Sequence, residues 1–364
     1  MNIAFKPGQE WLDTDGNRIQ AHGGSVLYVD GRYYWYGENK EKTLPDSGIW
    51  HWGVRLYSSE DLYNWKSEGI IVPPSSDYDS PLHPTQYMDR PHIIYNEKTK
   101  KFVMWIKIMG RENMGDQYMI IAVADKITDE FKIIATRQPL DYSSGDFDLV
   151  VDAKTKKAYI YFNKIHDFVH YERKSHKDIV CAELSDDYTD FTGNYANYHD
   201  NTRWQVGIEA PAFCEHEGKK YIFLSRTTGY VPNPTECIVS DSYFGPWDWL
   251  GRVHEGDREN LSFRSQISSV FKHPEKKNLY IALADRWLMN LPEDLPENLF
   301  EIANSKGDDK VETLYDERYD EVLRLNNAKI RDMSAARYVW LPIFFENGIP
   351  VIRWFDEWKW EDFD

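Results

Sequence analysis

The chain has 364 residues, of which 60 are Asp or Glu and 43 are Lys or Arg, so its formal net charge is -17. This excess of negative charge argues against nucleic acid and anionic membranes as partners, because both are bound by clustered basic residues. No stretch approaches the roughly 20 apolar residues that a membrane helix needs. The three cysteines, Cys181, Cys214 and Cys237, do not form a disulfide framework and are expected to be free and buried. A neutral, hydroxyl-rich ligand fits this composition best.

Short runs of Val, Ile, Tyr, Phe and Trp recur along the chain between turn residues, which is typical of β-strands. The first of these units starts at His22, turns at Asp30-Gly31 and ends near Trp65. The second starts at Arg90, and the third starts at Asp146. Each unit is a strand, a turn, a second strand and then a further pair. The predicted strands of these three units begin at residues 22, 32, 54, 90, 102, 119, 146, 158 and 179.

Two further units follow in the same pattern. The fourth starts at Glu209 and turns at Glu217-Gly218, and the fifth starts at Gln266 and closes near Trp354. Units of roughly 55–70 residues with four strands each are typical of propeller blades. The sequence therefore predicts an all-β protein, a five-bladed β-propeller forming one domain over residues 1–364. The acidic, partly helix-like stretch at about 290–330 is predicted to be an irregular insertion in the last blade.

Polar residues stand at the start of the first strand in every predicted unit. Because the first strand of each propeller blade lines the central channel, these residues are expected to face one pocket. Taken singly, each is a common strand-end residue. Several carboxylates around one axis are costly unless they are paired or used in chemistry, which favours an enzyme. The residues at these starts are Gln20, His22, Asp89, Asp146, Glu209 and Gln266.

The chain resembles glycoside hydrolase family 43, and within it the branch that contains exo-β-1,3-galactanases. The resemblance extends over most of the chain, from about Ile19 to Trp354, and its specificity comes from the segments taken together. The segments that carry it are Gln20-Ala-His-Gly-Gly, Tyr34-Trp-Tyr-Gly-Glu38, Tyr57-Ser-Ser, Asp61-Leu, Asn64-Trp65, Asp89-Arg-Pro, Tyr95-Asn96, Leu184-Ser-Asp-Asp-Tyr188, Glu209-Ala-Pro-Ala, Ser265-Gln266, Asp285-Arg-Trp287 and Tyr338-Val-Trp-Leu-Pro342.

The resemblance implies hydrolysis of a glycosidic bond with inversion at the anomeric carbon, and Glu209 matches the family's general acid. A general acid must be protonated at working pH, so its pKa is expected to be raised by burial and by nearby carboxylates. The residues implied in contact with the sugar are Glu38, Asp146, Thr228, Tyr118, Trp287, Gln20 and His22. For Tyr118 and Trp287, packing within the blade is an equally good interpretation, and His22 also fits a buried hydrogen-bonding role.

The catalytic base is where this sequence departs from most of the family. An aspartate usually stands at the start of blade one, but here the stretch reads Gln20-Ala21-His22. In the galactanase branch a glutamine of the fifth blade is thought to meet the attacking water, and Gln266 matches it. Either Gln266 acts as a rare tautomer, or it orients water while a carboxylate accepts the proton. Asp89 is the candidate for that second role, about 6.5–9.5 Å from the acid, although the branch usually carries a glutamate there.

Two alternatives to galactose release remain open. The chain could be an α-L-arabinofuranosidase or a galactofuranosidase of the same family, or a propeller that binds glycans without cleaving them. The expected partner is an oligosaccharide or polysaccharide. No cofactor and no dedicated metal site are expected, and a structural calcium or sodium ion on the propeller axis stays open. The N-terminus shows no signal-peptide pattern, so the chain as written is expected to be cytoplasmic, or secreted or periplasmic if a signal was removed.

Overall fold

The computed structural model describes residues 2–112, 117–141, 143–165, 178–199, 207–295, 297, 324–325, 327 and 329–364. Blades one to three each contain four strands, and every strand pairs antiparallel with its neighbour in the chain. The strands of these blades are β1 (His22–Val29), β2 (Arg32–Glu38), β3 (Val54–Ser59), β4 (Lys66–Val72), β5 (Tyr87–Asn96), β6 (Lys101–Met109), β7 (Gln117–Ala124), β8 (Lys132–Arg137), β9 (Ser143–Val151), β10 (Ala158–Ile165), β11 (Asp178–Leu184) and β12 (Phe191–His199).

Blade four repeats this arrangement, and blade five adds a short outer strand, β17, which runs parallel to β21. The strands of these blades are β13 (Ile208–His216), β14 (Lys219–Arg226), β15 (Glu236–Ser240), β16 (Asp248–Arg252), β17 (His254–Glu255), β18 (Gln266–Lys272), β19 (Tyr280–Arg286), β20 (Arg337–Glu346) and β21 (Ile349–Arg353).

The tightest hairpins are specified by the turn sequence. Asp30-Gly31, Glu217-Gly218 and Asn347-Gly348 each form a two-residue loop in which both residues have positive φ, from 49° to 83°. Such loops match the right-handed twist of the flanking strands, and glycine adopts this conformation at little cost. The turns predicted at Asp30-Gly31 and Glu217-Gly218 are confirmed.

The five sheets close into a ring through their first strands. β1 contacts β5, β5 contacts β9, β9 contacts β13, β13 contacts β18, and β18 contacts β1 again. Each first strand is therefore the innermost strand of its blade, and the starts of the five strands surround one axis. The prediction of an all-β, five-bladed β-propeller is confirmed.

The two ends of the described chain meet between blades five and one. Phe5 and Trp358 exchange two backbone hydrogen bonds of 2.8 and 3.1 Å, and their rings stack. They join a buried aromatic cluster with Trp35, Trp65 and Trp340. Burying side chains of this size contributes strongly to stability, so the termini help to hold the last blade against the first.

The remaining predictions about the chain concern the cysteines and the insertion. All three cysteines are free and buried, as expected. Residues 287–336 connect β19 to β20, and the insertion predicted at about 290–330 falls in this connection. Of that stretch, only 290–295, 297, 324–325, 327 and 329–330 are among the described residues. Within the described part of the chain, no helix is long and apolar enough to cross a membrane.

Candidate active site

A β-bulge lies near the start of all five inner strands. In each blade the first strand carries one more residue than the second strand that pairs with it. A bulge of this kind bends the strand and redirects its side chains. The five bulges lie at or within a few residues of the polar positions that the sequence places on the axis, so they help to aim those side chains between blades.

Two of the bulges have the same sequence pattern, an acidic residue followed by any residue and proline. These are Asp89-Arg90-Pro91 and Glu209-Ala210-Pro211, and in both the middle residue is left-handed with φ of 52°. A non-glycine residue in this conformation costs about 1–2 kcal/mol, and such strain is concentrated at functional sites. The proline is tolerated because a bulge leaves the ladder locally unpaired. The recurrent pattern thus marks where an inner strand presents an acid.

Glu209 is partly buried at the start of β13 and contacts the amide of Gln266 from blade five. The Gln266 Nε2 atom lies 3.3 Å from Glu209 Oε1 and also donates to Ser225 Oγ at 2.8 Å. Burial, followed by the negative charge of Asp146, raises the pKa of Glu209 to about 8, while the cations Lys107 and Arg90 oppose that rise. Glu209 is therefore protonated at neutral pH, as a general acid must be.

Arg90 fixes the orientation of the Gln266 amide. Its Nη2 atom lies 2.7 Å from Gln266 Oε1. Because a guanidinium only donates hydrogen bonds, the Gln266 atom that faces it must be the carbonyl oxygen. The amide NH₂ then points to Ser225 and Glu209. A tautomer able to act as a base would carry its proton on Oε1, against the guanidinium, so this geometry favours an ordinary amide that orients water.

Asp89 is held by donors from two blades. Trp50 Nε1 donates to its Oδ1 at 2.7 Å, Lys107 Nζ lies 3.4 Å from its Oδ2, and Lys40 Nζ lies 3.9 Å from its Oδ1. These contacts fix the position of the carboxylate, which is buried. Asp89 is thus a positioned acceptor in the same network as Glu209 and Gln266.

Asp146 carries the negative charge that acts on Glu209. It lies 2.7 Å from Lys107 Nζ and 3.2 Å from Arg90 Nη2. Although burial opposes the shift, these two cations lower the pKa of Asp146 to about 2. Asp146 stays ionised throughout the working pH range and keeps the proton on Glu209.

The cations of the network are matched by acidic side chains other than Glu209. Three cations face three such carboxyl groups, so each buried cation has an acidic partner, which lowers the cost of desolvation. The cations are Lys40, Arg90 and Lys107, and the carboxylates are Glu38, Asp89 and Asp146.

Glu38 lies behind the network. Only 2% of it is exposed; Lys40 Nζ is 2.7 Å from its Oε2, and the Arg90 backbone N–H donates to its Oε1 at 2.9 Å. Burial raises the pKa of Glu38 to about 7, against the opposing charge of Lys40. Glu38 positions Arg90 and Lys40. Its direct contact with the sugar, which the resemblance implies, stays a prediction.

His22 is also deeply buried. It is fully buried; its Nδ1 lies 2.9 Å from Asp285 Oδ1 and its ring stacks on Tyr338. Gln20 is 3% exposed and donates to the Ser334 carbonyl at 3.0 Å. Both residues connect blade one to blade five, and their contact with the sugar stays a prediction.

The other three predicted sugar contacts are Thr228, Trp287 and Tyr118. Thr228 donates to the Val231 carbonyl at 2.6 Å and so orders the loop after β14. Trp287 is 6% exposed and borders a shallow depression that also includes Gln266 and Asp285. Tyr118 packs against the apolar cluster between blades one and two. Its contact with the sugar stays a prediction.

Four residues of the network had been given no role from the sequence. These are Lys40, Trp50, Arg90 and Lys107. Lys107 does leave a signal, because it interrupts an otherwise apolar strand, Phe102 to Met109, and a lysine there needs a partner. Lys40 and Trp50 lie outside the strands and leave no comparable signal.

The pKa of Glu209 leads to a test of the Asp146 charge. In the unmodified protein, kcat/KM is expected to fall as pH rises past about 8, when Glu209 loses its proton. Asp146→Asn removes the charge that raises this pKa, so the alkaline limb is expected to move to lower pH. Asp152→Asn, in the β9–β10 turn, is the matched control. An alkaline limb that stays in place or moves upward in Asp146→Asn contradicts this assignment.

Among the described residues, no group of three or more His, Cys, Asp or Glu side chains could hold a metal ion. The axial carboxylates Asp89 and Asp146 are paired instead with Lys107 and Arg90. The site itself contains a protonated carboxyl, an ionised carboxylate and an amide.

Known structures with the same fold come from family 43 enzymes. One β-1,3-galactosidase has a TM-score of 0.78 and 28% identity, over 100% of this chain and 65% of that one, so this chain spans about two thirds of its length. A second, solved with galactodeoxynojirimycin, has a TM-score of 0.76 and 28% identity, over 98% of this chain and 100% of that one. An exo-β-1,3-galactanase from Clostridium thermocellum has a TM-score of 0.72 and 24% identity, over 97% of this chain and 66% of that one.

A comparison with curated proteins gave no match. The sequence pattern of Glycosyl hydrolases family 43 matches residues 19–290, which is well over half of the chain and includes the inner strands of all five blades. The chain belongs to glycosyl hydrolase family 43.

Proposed function

We propose that the protein is an inverting, exo-acting glycosidase that releases galactose from β-1,3-linked galactan. The observation that carries this proposal is the protonated carboxyl of Glu209, kept neutral by burial and by Asp146 within a network contributed by all five blades. A family 43 glycosidase needs such an acid. The two relatives at 28% identity are both β-1,3-galactosidases, which supports galactose as the sugar.

The reaction needs one proton donated and one accepted. Glu209 gives its proton to the glycosidic oxygen as the bond to the anomeric carbon breaks. A water on the opposite face attacks that carbon, which inverts its configuration. Gln266 orients this water, and Asp89 accepts its proton. Asp89 suits this role because its position is fixed by Trp50 and Lys107, while 13% of its side chain is still exposed.

A panel of aryl glycosides tests the choice of sugar. The proposal predicts hydrolysis of the aryl β-D-galactopyranoside at a rate well above that of the α-L-arabinofuranoside and the galactofuranoside. With β-1,3-galactotriose, galactose is expected as the product from the earliest time points, since the enzyme acts from the chain end. Faster hydrolysis of a furanoside would change the assigned sugar from galactose to arabinose or galactofuranose. Binding of galactotriose without any release would instead indicate a glycan-binding propeller.

A further inference from the structure

A second cleft opens beside the candidate active site, and nothing in the proposed mechanism uses it. It has a volume of about 540 Å³, which is large enough for a sugar or a disaccharide. Its lining includes three arginines, three acidic residues and two aromatic rings. The arginines and the rings are Arg258, Phe263, Arg264, Arg286 and Trp354.

The three arginines of this cleft differ in how they are paired. Arg258 binds Glu297 at 2.5 Å, and Arg264 binds Glu259 at 2.5 Å. Within the described part of the chain, Arg286 has no carboxylate partner; it donates only to the Phe263 carbonyl, at 2.8 Å, and its buried Nε has no acceptor.

The unpaired cation lies in a site that disfavours positive charge. Burial, followed by the charges of Arg264 and Arg337, lowers the pKa of Arg286 to about 10. A protein with a net charge of -17 has many acidic residues that could have neutralised this position. An anionic group entering the cleft would supply the missing partner, because guanidinium and carboxylate form strong bidentate hydrogen bonds.

The backbone beside the cleft is strained in a way that points to binding. Ser262, Phe263 and Arg264 are three consecutive non-glycine residues with positive φ of 55°, 54° and 61°. Consecutive left-handed residues are rare, since each one brings its Cβ too close to the following carbonyl oxygen. The turn is held by Ser262, whose Oγ donates to the Asn233 carbonyl at 2.7 Å. Strain maintained by such contacts is typical of ligand-binding segments.

Aromatic rings give the cleft an apolar side. Trp354 is 37% exposed and lies near Phe263, with ring centroids 5.6 Å apart. The guanidinium of Arg286 lies 5.6 Å from the Trp354 ring. A ligand that satisfies both features has a negative charge and a flat apolar face, as a uronic acid does.

We propose that this cleft binds a sugar that carries a carboxylate, a hexuronate, with Arg286 and Arg264 facing the carboxylate and Trp354 packing on the ring. The choice of a sugar rests on the proposed function. Arg264 also borders the shallow depression that contains Gln266 and Trp287, so the two sites adjoin. A galactan that carries an acidic branch could then occupy both.

The test is calorimetric titration of the whole protein with D-glucuronate, after saturation of the active site with galactodeoxynojirimycin. We expect glucuronate to bind, and to bind about tenfold or more tightly than methyl glucoside, because the charged partner strengthens the hydrogen bonds. Arg286→Gln and Trp354→Ala are each expected to weaken binding by a similar factor. Arg32→Gln, at an exposed arginine of blade one, is the control and leaves binding unchanged.

Arg258→Gln gives a second variant in case Arg286→Gln does not fold, since its side chain is 80% exposed; weaker glucuronate binding in Arg258→Gln supports the site. Absence of glucuronate binding overturns the proposal, and so does unchanged binding in both Arg286→Gln and Trp354→Ala. Inorganic phosphate binding as tightly as glucuronate overturns the sugar assignment. Failure of galactodeoxynojirimycin to bind, with glucuronate still bound, counts against the proposed function alone.

Discussion

Glu209→Gln is expected to lower kcat for β-1,3-galactobiose by about 10²–10⁴-fold, the usual contribution of a general acid. Glutamine cannot protonate the leaving oxygen. It does retain an acceptor for the Gln266 Nε2 atom, which lies 3.3 Å from Glu209 Oε1, so the site should keep its shape. KM is therefore expected to change little. Steady-state kinetics of the purified variant measure both parameters.

A substrate with a better leaving group distinguishes loss of the general acid from general damage to the protein. A dinitrophenyl galactoside needs little protonation, so Glu209→Gln is expected to hydrolyse it far better, relative to the unmodified protein, than it hydrolyses galactobiose. Glu215→Gln on the same strand is the control, because its carboxylate bonds to Tyr243 on the outside of the blade. An equal loss on both substrates would show that Glu209 does not act as the acid.

Asp89→Ala is expected to reduce hydrolysis by about 10²–10⁴-fold, the range for a general base. Lys107 keeps its 2.7 Å partner Asp146, so the variant should not leave an unpaired buried cation. The structural support for Asp89 as base is its fixed position and the unsuitability of Gln266, whose Oε1 faces Arg90.

Azide provides the decisive measurement for this variant. It is a nucleophile that needs no base, so sodium azide should restore cleavage of an activated aryl galactoside by Asp89→Ala. The product expected from inversion is α-galactosyl azide. Asp79→Ala, in an exposed loop, should show neither loss nor rescue. Full activity of Asp89→Ala without azide would assign the base elsewhere.

The fold could be predicted from the sequence because each blade is formed by strands that lie close together in the chain. Each blade is built mainly from strands that are neighbours in the chain, and its hairpins are marked by turns such as Asp30-Gly31. Alternating apolar runs therefore identify the strands without knowledge of distant contacts. The short parallel strand β17, which pairs with β21 about a hundred residues later, has no such local signature.

The acids of the site were predictable, but their partners were not. Asp89 and Glu209 stand at strand starts in a repeated pattern with proline. Arg90 and Lys107 depend on contacts between blades, since Arg90 bonds to Gln266 of blade five and Asp146 of blade three. Pairing across blades depends on the ring geometry, which a linear pattern does not contain.

How deeply each side chain is buried could not be predicted from the sequence either. Glu38 and His22 occupy positions that the family pattern associates with the sugar, yet 2% and 0% of these residues is exposed. The bulges decide which side chains reach the pocket, because one extra residue reverses the face to which a strand's side chains point. In the sequence, only the repeated pattern of an acidic residue, any residue and proline indicates where bulges lie.

The stereochemistry of the first product tests the central claim most directly. In proton NMR spectra recorded during the first minutes of hydrolysis of an aryl β-D-galactopyranoside, whose leaving group is not a sugar, protonation by Glu209 and attack by water from the opposite face predict that galactose appears as the α-anomer. The β-anomer should then grow in only by mutarotation. Galactose that is released first as the β-anomer would contradict the account, since it requires a covalent intermediate and a different arrangement of carboxylates.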